Sequence, residues 1–301
     1  MNGLNWQIRT IAMFAAMTAI LVVIGAFVGY LFKNWMLGFL IMLAVSIVFD
    51  LYAYFFSKSS ALRANKVRIV TYEEEPRLYR IVESLAQRMD LPMPEVGISM
   101  VPMPNAFATG RNPKNAAVVA TQPLLNMLND DELEGVMAHE MSHVKNRDIL
   151  VMSVASTMAS IISYVTRLAV WSAMFSGGDR RDSGLYLLVA IVADITLPIA
   201  AALIQLGVSR NREYLADETG ARVTGRPMAL ASALRKIEGG CTSNANSYDN
   251  PSYENVWISN PYGKKKTRKL TQIFMTHPST EDRIERLKAL DEEINGIKHA
   301  W

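Results

Sequence analysis

The segment NDDELEGVMAHEMSHVKNRD, residues 129–148, decides how the rest of the chain is read. Asn129 is suited to cap a helix, and Glu132, at the third helical position, completes a capping box ahead of an apolar-periodic run. The spacing predicts a helix over roughly 130–147. Within it lies His139-Glu140-Met141-Ser142-His143. Residues four apart share one helix face, roughly 5–6 Å apart at Cβ, so His139 and His143 can grip one ion from consecutive turns while Glu140 projects beside it. Zinc suits imidazole ligands, and a catalytic zinc keeps a position for water that a neighbouring carboxylate can deprotonate.

Composition sets the surroundings of that helix. Half of the 301 residues are hydrophobic and only 20% are charged, a balance that points to membrane segments. A net charge of +3 is too small for a nucleic-acid footprint, so a nucleic-acid partner is excluded from the reading. The single cysteine, Cys241, rules out an internal disulfide.

Four apolar stretches are visible. Ile11–Phe32 and Trp35–Phe56 form a first hairpin, with Asp50 near its end and Tyr52, Tyr54, Phe55 and Phe56 placed as an interfacial cluster. Lys58, Arg63, Lys66 and Arg68 follow, and the excess of cations near membrane ends assigns this side to the cytoplasm. An even number of crossings puts the N-terminus there too. Residues 149–175 and 185–207 read as a second hairpin, with Arg167 and Asp194 facing protein or water.

The chain therefore divides into an N-terminal transmembrane hairpin (1–58), a first catalytic part (59–148), a second hydrophobic hairpin (149–207) and a second catalytic part (208–301). Residues 76–90 have the periodicity of an amphipathic helix, and the proline-bracketed runs 95–101 and 116–121 read as strands. Between these runs Asn105-Ala106-Phe107-Ala108-Thr109-Gly110 is a candidate strand ending in a turn. Helical sequence returns over 208–238. Residues 239–263, rich in Gly, Ser, Asn, Tyr and Pro, read as a long loop followed by the cations of 264–269, and 279–294 is again an amphipathic helix.

Two histidines leave zinc one protein ligand short. Glu213 is the best candidate, because it opens a polar helix with Asp217 four residues on, on the same face. The alternative for Glu213 is a surface carboxylate paired with Arg212 or Arg210. A hairpin that goes out and returns brings both ligand helices to one membrane face, within about 10 Å of where the chain leaves the bilayer. Asp217 would then accept the free N–H of a metal-bound imidazole. His277 and Arg283 each carry two readings: cap or carboxylate partner, and donor to a developing oxyanion.

In order along the chain, N-A-F-A-T-G (105–110), H-E-M-S-H (139–143), R-E-Y-L-A-D (212–217) and H-P-S-T-E-D-R-I (277–284) resemble the HtpX family of membrane zinc metalloproteases, relatives of the CAAX prenyl proteases. The resemblance implies an α+β, mainly α integral membrane protein with four hydrophobic helices and a cytoplasmic zincin-like domain carrying a small sheet. It implies one Zn2+ per chain on His139, His143 and Glu213, with Glu140 as general base. Asp217 and Asp148 align with supporting polar positions. His277 and Arg283 are placed near the site, and Asn105, Ala106 and Phe107 lie on the edge strand that takes substrate. The implied activity is endopeptidase cleavage of misfolded or surplus membrane proteins, or of unfolded polypeptides, in quality control and stress response at the bacterial inner (cytoplasmic) membrane. Its environment is the lipid bilayer, with catalytic domain and N-terminus cytoplasmic. Two alternatives stand beside it: a membrane-anchored scaffold with a structural metal, against which Glu140 argues, and a protease of CAAX-type prenyl peptides.

Overall fold

The computed structural model describes residues 4–31, 33–157, 210–244 and 278–297. Two long helices lead, α1 (Leu4–Leu31) and α2 (Trp35–Ala64), antiparallel and joined by a tight turn. Glycine lets them approach: a Cβ on Gly38 would stand 2.1 Å from the Gly25 carbonyl oxygen and 2.9 Å from Gly29 Cα. Small residues of this kind bring apolar helices together in lipid, where no hydrophobic force drives them. Among the described residues α2 is the one helix long and apolar enough to cross a membrane, and its apolar window is only 11% buried. Leu40, Ile47, Val48, Leu51 and Phe55 face outward. In α1 the apolar part is the shorter run Thr10–Val23. Asp50, the awkward residue of the second span, accepts a hydrogen bond from the Thr18 hydroxyl at 2.8 Å.

The expected end of the second span at Phe56 is overrun by two turns. At about 1.5 Å per residue the 30 residues of α2 reach about 45 Å, more than a hydrocarbon core of about 30 Å requires. The extra turns bury Ser57 and Ala61 beneath a sheet. That sheet has four strands in the order β1-β2-β4-β3: β1 (Val67–Ile69), β2 (Glu95–Ser99), β3 (Ala106–Gly110) and β4 (Ala116–Thr121). β2 and β4 pair in parallel, and the outer pairs are antiparallel. β3 therefore lies at an edge, with Phe107 opposite Val119.

Alternation along the strands separates two cores. Ala106, Ala108, Val96, Ile98 and Val118 face α3 (Pro76–Met89) and the helix α5 (Asp130–Lys145), which follows the short α4 (Gln122–Met127). Phe107 and Val119 face the other way, onto Ala61, Val101, Met103 and Met152. Met152 belongs to α6 (Asp148–Thr157), which leaves α5 after a two-residue turn and packs Leu150, Val151, Val154 and Ala155 against Met13, Met17 and Ala53. Three further helices, α7 (Arg210–Thr224), α8 (Pro227–Asn244) and α9 (Thr280–Asn295), close the domain around α5.

The capping box expected at Asn129 is present, with Glu132 and Asn129 each bonding the other's backbone N–H. α8 corrects the expected loop: it runs through Gly239 and Gly240 to Asn244. Most of 239–269 lies outside the described residues, as do Arg167, Asp194, His277 and the fourth apolar stretch.

Candidate active site

α5 carries His139, Glu140 and His143 on a face buried against β3 and α7. α7 crosses it closely because residue 220 is glycine. A Cβ there would stand 3.0 Å from the His139 nitrogen and 3.1 Å from the Ala138 carbonyl carbon. That crossing brings Glu213 and Asp217, one helical turn apart, to the histidines.

The imidazole Nε2 atoms of His139 and His143 stand 3.3 Å apart. Glu213 places one carboxylate oxygen 3.7 Å from His139 Nε2 and the other 3.5 Å from His143 Nε2. Zinc bonds of about 2.0–2.1 Å in a tetrahedron separate neighbouring ligand atoms by about 3.3 Å, so the three groups fit a zinc ion. Among the described residues they are the one group of three His, Cys, Asp or Glu side chains close enough to hold a metal.

The far side of each ring fixes which nitrogen faces inward. His139 Nδ1 lies 2.8 Å from Asp217 Oδ1, and His143 Nδ1 lies 3.3 Å from Asp148 Oδ2. An ionised carboxylate can only accept, so each Nδ1 carries the proton and each Nε2 turns its lone pair inward. The carboxylates have counterions of their own. Arg283 grips Asp217 through Nε at 2.8 Å and Nη2 at 2.6 Å, and Arg212 pairs with Asp148. Arg283 thus occupies the carboxylate-binding position of its two readings. Ser279 caps α9 by accepting from the Asp282 N–H; His277 lies outside the described residues.

Little water reaches this cluster: His139, Glu140, His143 and Glu213 are each at most 3% exposed. Burial raises the Glu140 carboxyl to about 7, against the lowering effect of His143 and of a hydrogen bond from the Ala108 N–H. Burial, with Arg283 and His143 adding to it, also outweighs Asp217 at His139 and lowers that imidazole. Burial alone would raise Asp217, yet Arg283 and His139 hold it below its ordinary value.

The structure thus brings together His139, Glu140, His143, Glu213, Asp217, Asp148 and Arg283, with Ala106 and Phe107 on the adjacent edge strand. Asn105 stands just before that strand and accepts from the Ala106 N–H. Three participants went unread. Arg212 figured only as a competitor for Glu213, although its helix neighbour points about 100° away and leaves it free to turn toward Asp148. Gly220 was visible as a lone glycine in a helical pattern, a sign of close packing. Ser153, whose hydroxyl accepts from the Gly110 N–H at the end of β3, was hidden in an apolar run.

A buried pair of histidines and a glutamate around a metal-sized gap, with a further buried carboxylate beside a strand edge, is the arrangement of a metallopeptidase. The model of peptidase family M48 matches residues 72–291, and the chain belongs to that family. It is 43% identical to "Protease HtpX homolog" of Pyrococcus furiosus over 98% of this chain and 99% of that one. With the protein of the same description from Thermococcus kodakarensis the identity is 46%, over 97% and 98%. A crystal structure of S. mikatae Ste24p superposes with a TM-score of 0.49 at 19% identity, over 93% of this chain and 65% of that one. The chain is a metalloendopeptidase of the HtpX type, and the scaffold alternative falls with that membership.

Proposed function

We propose that this protein is a zinc endopeptidase of the cytoplasmic membrane that cuts misfolded or surplus membrane proteins at their cytoplasmic segments, in quality control and stress response. The observation that carries the reading is the position of Glu140, between the inward-facing Nε2 atoms and the edge strand β3. His139, His143 and Glu213 would hold the zinc, with Asp217 and Asp148 fixing the rings and Arg283 neutralising Asp217. When bound, zinc supplies a Lewis acid and lowers the pKa of water.

The protein's own groups do the rest. An extended peptide pairs with the outward backbone groups of β3 at Ala106 and Ala108, as strands add to exposed sheet edges, with Asn105 and Phe107 holding the strand. Pairing at Ala108 takes its N–H from Glu140 and releases that carboxylate. Glu140 accepts the proton of the attacking water and passes it to the leaving amine nitrogen. Burial pushes the Glu140 carboxyl up, which favours its carrying the proton, while the charge of a bound metal would lower it again and favour its release. By the resemblance His277 belongs near the site, where it would donate to the developing oxyanion. The packing of α6 on α1 and α2 sets the site beside the apolar helices, which supports membrane-anchored substrates. Four crossings, with the N-terminus cytoplasmic, complete the proposed topology.

Glu140→Ala tests the reading in detergent-purified protein, with an unfolded polypeptide as substrate. Zinc at about one per chain, with cleavage down by at least about a hundredfold, is the expected result for loss of a general base. Equal cleavage by both proteins would remove Glu140 from the chemistry.

A further inference from the structure

Every second backbone amide of an edge strand points away from its partner, and an enclosed one needs an acceptor. Along β3 these acceptors are all side chains. The Ala106 N–H donates to Asn105 Oδ1 at 2.8 Å, the Ala108 N–H to Glu140, and the Gly110 N–H to Ser153 Oγ at 3.3 Å. The third acceptor is unlike the others, because Ser153 sits on α6, among the apolar residues that pack on α1 and α2. Its hydroxyl also meets Thr109 Oγ1 at 2.9 Å, and both side chains are fully buried. Its neighbour Met152 packs in one cluster with Phe107 and Ala61. Gly110 itself has little room to shift: its φ is +142°, and a Cβ there would stand 2.3 Å from the Asn115 carbonyl oxygen.

We infer that Ser153 is a positioning residue for the substrate strand: its hydroxyl ties the Gly110 end of β3 to the apolar helix α6 and so sets the edge on which an extended peptide pairs. The inference rests on the proposed role of β3. A peptide that pairs at Ala108 breaks the strand's link to Glu140; the pairing with β4 and the packing of Ala106 and Ala108 still hold β3 on the α5 side, and at its Gly110 end the Ser153 tie remains. Gly110 is two residues from Ala108, about 7 Å along the strand. A peptide reaching two residues past the reacting carbonyl therefore lies along the segment that Ser153 fixes, whereas a blocked dipeptide ends short of it.

The test compares full-length wild type with Ser153→Ala, Thr109→Val and Ser153→Thr, on a ten-residue peptide and on a blocked dipeptide amide, with zinc content measured for each. Ser153→Ala and Thr109→Val are expected to raise KM for the long peptide about tenfold, with kcat changed less than about threefold and zinc retained. That loss matches one buried hydrogen bond of about 1.4 kcal/mol. Ser153→Thr, which keeps the hydroxyl, restores the wild-type KM, and the dipeptide shows less than a twofold change with Ser153→Ala. Unchanged KM for the long peptide, or an equal loss on both substrates, overturns the inference. Hydrogen exchange across 105–110 answers without turnover. Faster exchange at Gly110 in Ser153→Ala alone is expected, and identical exchange overturns the tie even if wild type cleaves neither substrate, a result that would instead sink the peptidase reading.

Discussion

The two imidazoles that face each other across the site are backed differently. His139 donates to Asp217 on α7, and Arg283 on α9 clasps that carboxylate with two nitrogens, so three helices meet behind one ring. His143 donates at 3.3 Å to Asp148, only five residues on, and Arg212 pairs with it from α7. The first arrangement is long-range and sealed, with Arg283 and Asp217 side chains 2% and 4% exposed. The second is local and nearer to solvent, since the Arg212 side chain is 16% exposed. One ring is thus oriented by the tertiary fold and the other by the turn between α5 and α6.

The largest test of that contrast is removal of each arginine. Arg283→Met leaves Asp217 buried without its counterion and is expected to cost about 3–5 kcal/mol, the range for breaking a buried pair. Arg212→Met should cost about 1–2 kcal/mol, as water reaches Asp148 once the guanidinium is gone. Thermal melts in detergent read both, and equal shifts in Tm would mean that α9 adds nothing special.

Next in size is metal affinity. Asp217→Asn should weaken zinc binding by about 10–100-fold, in line with loss of a carboxylate behind a metal-bound imidazole, and Asp148→Asn should fall at or below the low end of that range. Competition with a chelator of known affinity measures each. The reverse order would show that local backing governs the metal.

The smallest effect lies away from the relays. Glu132, in the capping box of α5, also receives Ser232 Oγ at 2.7 Å and Lys236 Nζ at 2.8 Å from α8. Burial alone would raise its carboxyl, but Lys236, Ser232 and the Asn129 N–H hold it below the ordinary carboxylate range. Its contribution is present above the unfolded pKa of about 4.3 and is lost as pH falls through the lower folded value. Glu132→Gln should therefore lower stability by about 1 kcal/mol at pH 7. The gap between wild-type and variant Tm should close as the pH drops below 4. A gap independent of pH would assign the effect to packing.

What the sequence disclosed follows the range of each interaction. Asn129 and Glu132 announce α5 because a capping box is local, and Asp217 shows itself by standing one turn from Glu213. Asp148 drew notice only through family resemblance, since no periodicity marks a carboxylate just past a helix end. Arg212 enters the sequence reading only as an alternative partner for Glu213, because spacing cannot tell Glu213 from Asp148. The three-residue β1 is too short to show alternation. Gly239 and Gly240 suggested a loop, yet a Cβ on Gly240 would stand 2.7 Å from both Met127 and Pro104, so close packing favours glycine inside the helix. α2 outran its apolar stretch because Ser57 and Ala61 are small enough to pass under the sheet.

The order in which the parts of the site occur along the chain bears on its synthesis. A nascent chain that has emerged as far as residue 212 carries both histidines and Glu140 but lacks Glu213, and Asp217 gains its clasp only when residue 283 is out. The three groups that could hold a metal are therefore complete once residue 213 is made, whereas the full backing of the His139 ring waits for residue 283, 70 residues later.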